Sequence, residues 1–100
     1  MEEFVVQSEI RVPVDGAAAL EDAFRSRLGA VETAPGFRRL EVWADRADPG
    51  HYVMVSWWTS RAEFVAYMRS DDHARSHARI PGGEHRPHPI GVRRFGVVAR

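Results

Sequence analysis

The sequence predicts an α+β domain in the ferredoxin-like β-α-β-β-α-β order, a four-stranded antiparallel sheet with helices on one face. Three observations predict it. Four segments carry strand signatures, the clearest alternating apolar and polar residues. Segments between them place apolar residues at helical spacing, and turn residues fall where the two periods meet. At 100 residues the chain has the length of a single domain, enough to bury about 60–65% of the surface an unfolded chain exposes.

The first strand runs from residue 4 to 12. Phe4, Val6, Ser8, Ile10 and Val12 share one face, and Val5, Gln7, Glu9 and Arg11 share the other. Pro13 ends the ladder because it has no N–H to donate. Asp15 is placed to cap a helix starting at Gly16 or Ala17, along which Leu20, Ala23, Phe24, Arg27, Leu28 and Val31 fall at helical spacing with charges mostly elsewhere. Pro35-Gly36 stops it. Phe37 to Ala44 returns to period two, with Leu40, Val42 and Ala44 opposite Phe37, Arg39, Glu41 and Trp43. Asp48-Pro49-Gly50 marks a hairpin loop, and His51 to Trp58 is a third strand rich in β-branched and aromatic residues. Ser60 and Glu63 form a capping box ahead of a helix with Phe64, Tyr67 and Met68 on its apolar side. A further helical piece follows Ser70-Asp71 and carries His73, Ala74, His77 and Ala78. Pro81 to Pro89 reads as a loop, and Val92 to Ala99 as the last strand.

Helices cover one face of such a sheet, so the other face must be polar or meet a partner. Trp43 and Trp57 lie opposite Val42 and Trp58, which makes both faces apolar and implies a homodimer packed face to face. The alternative is that these tryptophans stand singly at the surface.

Composition removes several function classes. The chain has no cysteine, hence no disulfide, thiolate metal site or thiol nucleophile. Acidic and basic side chains number 14 each, and a balanced charge lacks the electrostatic drive of nucleic-acid binding. All the basic residues are arginine, so no Schiff-base lysine exists. No apolar run reaches the ~18 residues that span a membrane, and Met1-Glu2-Glu3 is unlike a secretory signal. A cytoplasmic location is the expectation.

Two sets of residues suggest chemistry. Ser8 is a lone polar group on an apolar strand face, so its hydroxyl either bonds a nearby carbonyl or lines a pocket between sheet and helices. His73 and His77 stand at i, i+4 on one helix face, where His85 or His88 could add a third metal ligand. The pair lacks the glutamate of a hydrolytic zinc motif. His77 sits beside the small Ala74 and Ala78, which leave room for a flat ligand, and an imidazole there suits an axial haem ligand. No serine has the setting of a triad nucleophile, and no glycine-rich phosphate loop is present.

Glu32-x-x-Pro35-Gly36-Phe37 and Trp58-x-Ser60-x-x-x-Phe64, with Leu20 through Arg27 and Tyr67, resemble the antibiotic biosynthesis monooxygenase domain from about Phe4 to Val98. That resemblance implies dimers of ferredoxin-like folds with a pocket between each sheet and its helices. Ser70-Asp71 through His77 further resembles the haem-degrading branch. It implies that His77 is the proximal haem ligand, that Arg27 lies near the haem propionates, and that Tyr67 and Ser8 occupy the places of a ring-distorting tryptophan and a distal asparagine. Serine is shorter and lacks an amide N–H; tyrosine keeps an aromatic plate with less bulk. The leading expectation is an oxygenase that binds a flat hydrophobic ligand, with Trp58 and Tyr67 as walls, Ser8 on the distal side, haem as ligand or substrate, and molecular oxygen as co-substrate. The alternatives are a cofactor-independent oxygenase of phenolic polycyclic aromatics and a non-enzymatic ligand-binding dimer module.

Overall fold

The computed structural model describes residues 3–26, 30–77 and 87–100, and leaves aside the side chains of Ala30, Ser76 and His77. Its strands are β1 (Phe4–Arg11), β2 (Phe37–Ala44), β3 (His51–Trp58) and β4 (His88–Gly96); its helices are α1 (Ala17–Arg25), α2 (Arg61–Met68) and α3 (Asp71–His77). Short 3-10 turns cover Val14–Gly16 and Ala30–Thr33. The sheet order is β2-β3-β1-β4 with every neighbouring pair antiparallel, which is the ferredoxin-like arrangement.

The alternation of β1 decides which side is covered. Its Phe4, Val6 and Ile10, with Val12 just beyond, pack toward the helices in two separate clusters. The first gathers Val6, Val31, Trp58, Phe64 and Tyr67, with Phe4, Phe37 and Leu40 against them. The second joins Val12, Leu20 and Tyr52, flanked by Ile10, Phe24 and Val42. Tyr52 donates its hydroxyl to Glu21 of α1 at 2.5 Å. Burial, reinforced by that bond, pushes the Tyr52 hydroxyl up to about 12.

Ser60 caps α2 as its spacing requires: its Oγ accepts from the Glu63 N–H at 3.3 Å and donates to the Glu63 carboxylate at 3.0 Å. The same carboxylate accepts from Thr59 and lies where a Cβ on Gly36 would sit, so a side chain there, at φ +80°, would be strained and would push that carboxylate aside. Thr59 N–H donates to Gly36 O at 2.8 Å. The Pro-Gly-Phe turn is thereby locked onto the start of α2.

Four boundary expectations are corrected. Asp15 does not cap α1: it lies within a 3-10 turn, and Gly16 is the N-cap with no side-chain bond. The helix ends at Arg25, and Val31 reaches the core from the second 3-10 turn instead. In β2 the register shifts between Phe37 and Arg39, so Phe37 packs on the helix side with Leu40 rather than opposite it; the extra residue, Arg38, absorbs the change of face. The last strand begins at His88, not Val92, and includes Pro89. β4 is an edge strand bonded only to β1, with a register shift opposite Glu9/Ile10, and an edge tolerates a missing N–H. Met68, adjacent to Tyr67 and so about 100° away around α2, is exposed.

The β2–β3 loop closes on β1 through backbone. Val12 N–H donates to Gly50 O at 2.9 Å, and a Cβ on Gly50, at φ +88°, would stand 2.4 Å from Val12 O. Gly50→Ala should therefore cost about 1–3 kcal/mol of unfolding free energy in urea titration; a loss below about 0.5 kcal/mol would show that the loop relaxes freely.

Candidate functional site

Between the two apolar clusters the helix-facing side of the sheet carries a floor on which several side chains are only partly covered. Two rows cross it, Val42–Met54–Ser8–Val92 and Leu40–Ser56–Val6–Arg94. Ser8, Met54 and Ser56 are all half-buried, in contrast to Val6, Tyr52 and Trp58 on the same face. Ser8 makes no side-chain hydrogen bond among the described residues, and no unpartnered polar atom there is fully enclosed, so its hydroxyl remains reachable. The first alternative read from the sequence, a bond to a nearby carbonyl, is not what the structure shows.

Aromatic rings wall one end of this floor. Trp58, 1% exposed, meets Phe37 and Phe64 edge-on at 5.5 and 5.7 Å and lies tilted against Tyr67 at 5.5 Å. Its indole N–H donates to Ser56 Oγ at 2.9 Å. Tyr67, buried on α2, in turn meets the ring of His73 on α3 edge-on at 5.4 Å. Ser70 sets the bend between the helices: its Oγ donates to Tyr67 O at 2.6 Å and accepts from His73 N–H at 3.2 Å. Those bonds terminate α2 and start α3, which fixes His73 over Tyr67 and sends the following turn toward residue 77.

The structure thus brings together Trp58, Tyr67 and Ser56, with Ser8 on the adjoining strand and the same face. Trp58 stands behind Tyr67 and Ser56, enclosed by its neighbours. Arg27, His85 and the side chain of His77 lie outside the described residues, and so does a test of the His73–His77 pair as metal ligands. Ser56 carried no signal in the sequence beyond its place on the face of Tyr52 and Trp58. A cavity of about 190 Å³ lies beside this constellation, between the Thr33–Pro35 segment and Glu63, Tyr67, Ser70 and Asp72. Its volume falls below the ~300–1,000 Å³ usual for small-molecule sites, and it does not reach Ser8.

The opposite face of the sheet is built differently. One row reads Arg39–Trp57–Val5–Phe95, the next Glu41–Val55–Gln7–Arg93. The Arg39 guanidinium lies 3.9 Å over the Trp57 ring, and Trp43, 44% exposed, donates its indole N–H to Glu41 at 2.9 Å. Phe95 and, on the helix-facing side, Val92 are exposed on β4. Among the described residues no helix is long and apolar enough to cross a membrane.

Comparison with known proteins adds three findings. The sequence profile of the antibiotic biosynthesis monooxygenase family matches residues 3–79. The chain is 29% identical over 76 residues to a haem oxygenase (staphylobilin-producing) of Staphylococcus saprophyticus, covering 74% of this chain and 72% of the relative. A haem oxygenase (staphylobilin-producing) of Staphylococcus epidermidis is 30% identical over 86 residues, covering 84% and 82%. Among solved structures, a Bordetella bronchiseptica protein superposes with a TM-score of 0.85 at 18% identity, over 99% of this chain and 100% of its own. A Caulobacter crescentus protein gives 0.80 at 17% identity, over 98% and 92%. Both structures are named as candidate antibiotic biosynthesis monooxygenases, and at these identities they speak for the fold.

One further cluster went unread in the sequence. Asp45, Asp48 and His51, at the hairpin, hold ligand-type atoms within 4.8 Å of one another. Each already has a partner. Arg11 reaches Asp48 with both terminal nitrogens at 2.6 and 3.1 Å, while His51 bonds Asp45 through Nδ1 at 2.9 Å and Glu9 through Nε2 at 3.4 Å. The group therefore reads as an ion-pair network tying the hairpin to β1. The Asp45 bond, with help from Glu9 and against partial desolvation, holds the His51 imidazole above its ordinary value. A raised folded value means that the contribution is complete below about pH 6.5 and is lost as pH rises through the folded value. The difference in melting temperature between wild type and His51→Gln should be largest near pH 6 and shrink toward pH 8 by calorimetry; a constant difference would show that His51 is neutral throughout.

Proposed function

The chain belongs to the antibiotic biosynthesis monooxygenase family, and from that premise we propose that it is a homodimeric oxygenase taking a flat hydrophobic ligand, haem foremost, between sheet and helices. The observation that carries the reading is Ser8: a reachable, unpartnered hydroxyl on an otherwise apolar strand face, beside half-buried Met54 and Ser56. Such a group costs free energy in a closed core and suits a surface that a ligand covers. The haem oxygenase relatives support haem as the ligand.

The residues that the family resemblance implies would supply a donor set for that molecule. His77, on the last turn of α3, would ligate the iron through a neutral imidazole. Tyr67, held from behind by Trp58, would lie along one face of the macrocycle, and Ser8 would offer its hydroxyl from the sheet side. Arg27 would pair with the ligand's carboxylates through its planar fork. Haem supplies the redox chemistry when bound; these residues bind it, orient it and exclude water.

The apolar outer face supports the homodimer. Trp43 and Phe95 are exposed on that face, and a sheet apolar on both sides in so short a chain calls for cover on the second side. Phe95→Glu should weaken association at least about tenfold, roughly 1.4 kcal/mol, by sedimentation velocity. A wild-type chain that sediments as a monomer at tens of micromolar would contradict the dimer.

Hemin titration tests the function. Wild type should give a shifted Soret band, and His77→Ala should lower hemin affinity at least about tenfold; adding a reductant in air should then bleach the wild-type band and release iron. Equal hemin binding by His77→Ala would remove His77 as the ligand. No spectral change in wild type would leave the cofactor-independent oxygenation of phenolic polycyclic compounds as the reading, with oxygen uptake on anthrone as its assay.

A further inference from the structure

We propose that Ser56 is a specificity-determining residue of the sheet–helix site, forming with Ser8 a two-hydroxyl seat for an acceptor oxygen that a planar ligand carries over the middle of the sheet. The inference rests on the sheet–helix reading of the site and adds to it the chemistry that the ligand must present.

The geometry begins with register. Val6 pairs with Ser56 and Ser8 pairs with Met54, so Ser8 and Ser56 are diagonal neighbours on the two central strands, roughly 7–8 Å apart along the backbone. Both face the helices, as Trp58 and Tyr52 on the same side of β3 and Val6 on the same side of β1 show. Both are half-buried. One planar ligand lying on this floor touches both.

The hydroxyl of Ser56 is set up as a donor. A serine hydroxyl has one proton to give and two lone pairs to receive. The Trp58 indole N–H, 2.9 Å away, occupies a lone pair of Ser56 Oγ. No described group accepts the Ser56 proton. Trp58 is locked among Phe37, Phe64 and Tyr67, so the acceptor side of Ser56 is fixed in direction and the proton is left for a ligand. Accepting one bond also strengthens the bond a hydroxyl gives. Ser8, with no partner of its own, supplies the second donor. The ligand that satisfies both is a planar hydrophobic molecule bearing an acceptor oxygen, whether carbonyl, carboxylate or phenolate, at the part that lies over β1 and β3. A purely hydrocarbon ligand leaves the two hydroxyls unpaired under it and is disfavoured.

Two probes of nearly the same shape isolate this feature: anthrone, which carries one carbonyl oxygen, and 9,10-dihydroanthracene, which lacks it. Their binding is measured under argon by quenching of tryptophan emission. Wild type should bind anthrone more tightly, and Ser56→Ala should weaken anthrone about 3- to 10-fold while leaving dihydroanthracene within about twofold. Ser56→Thr, which keeps the oxygen, should restore most of the preference. If Ser56→Ala fails to fold, Ser56→Cys, which nearly keeps the side chain's size but replaces the hydroxyl with a weak donor, should give a loss in the same direction. Wild-type preference for anthrone that survives Ser56→Ala overturns the role of Ser56 and leaves the site reading intact. Absence of any preference, or of binding to either probe, also overturns it, and the hemin titration then decides separately whether the site reading stands.

Discussion

The burial of one indole organises this molecule. Trp58 ends β3, touches β2 through Phe37 and the α2 helix through Phe64 and Tyr67, and spends its only polar group on Ser56. Burying a tryptophan removes roughly 150–250 Å² from water, about 4–6 kcal/mol at 25 cal/mol per Å² as an upper value. No exposed ion pair on the surface approaches that, since such pairs contribute about 0–1 kcal/mol. Arg11–Asp48 and the Arg25–Glu21 pair, each at least partly open to solvent, therefore trim loops and helix faces, and Trp58 decides where α2 lies.

That placement is what leaves the floor open. With α2 drawn to one end of the sheet by Trp58 and α1 drawn to the other by Leu20 and Tyr52, the rows through Ser8, Met54 and Ser56 lie between two packed ends. A core free of function would fill that middle with a leucine or a phenylalanine at position 8, because an unpaired hydroxyl on an apolar face costs free energy and returns none. The same separation explains why the small cavity beside Tyr67 is a poor candidate for a large flat ligand: it belongs to the junction of α2, α3 and the Thr33–Pro35 segment, away from the floor.

Much of this was legible in the sequence. Alternation placed β1 correctly because Phe4, Val6 and Ile10 recur at period two on one face, and the Ser60–Glu63 box marked the start of α2 because capping is a local bond between residues three apart. The two faces of β3 followed from Trp57 and Trp58 being neighbours. What failed was non-local. The shift at Arg38 arises because Phe37 is pulled into the Trp58 cluster, and the early start of β4 depends on its being an edge strand, which only the sheet order reveals. Ser8 was visible as an oddity, yet its lack of a partner required coordinates. Ser56 was invisible, since its meaning depends on an indole two residues along the strand reaching back on the same face. Likewise the His51 network joins groups 42 positions apart in the chain.

The claim on which this account turns is that a flat ligand covers the Ser8–Met54–Ser56 floor on the helix side. Of the three methionines, Met54 is on that floor and Met68 is on the exposed side of α2. In a protein labelled with ¹³C at methionine methyls, ferric hemin should broaden the Met54 resonance in NMR spectra at stoichiometric addition, ahead of the Met68 signal. A Met54 signal that keeps its full intensity at saturating hemin would contradict the account.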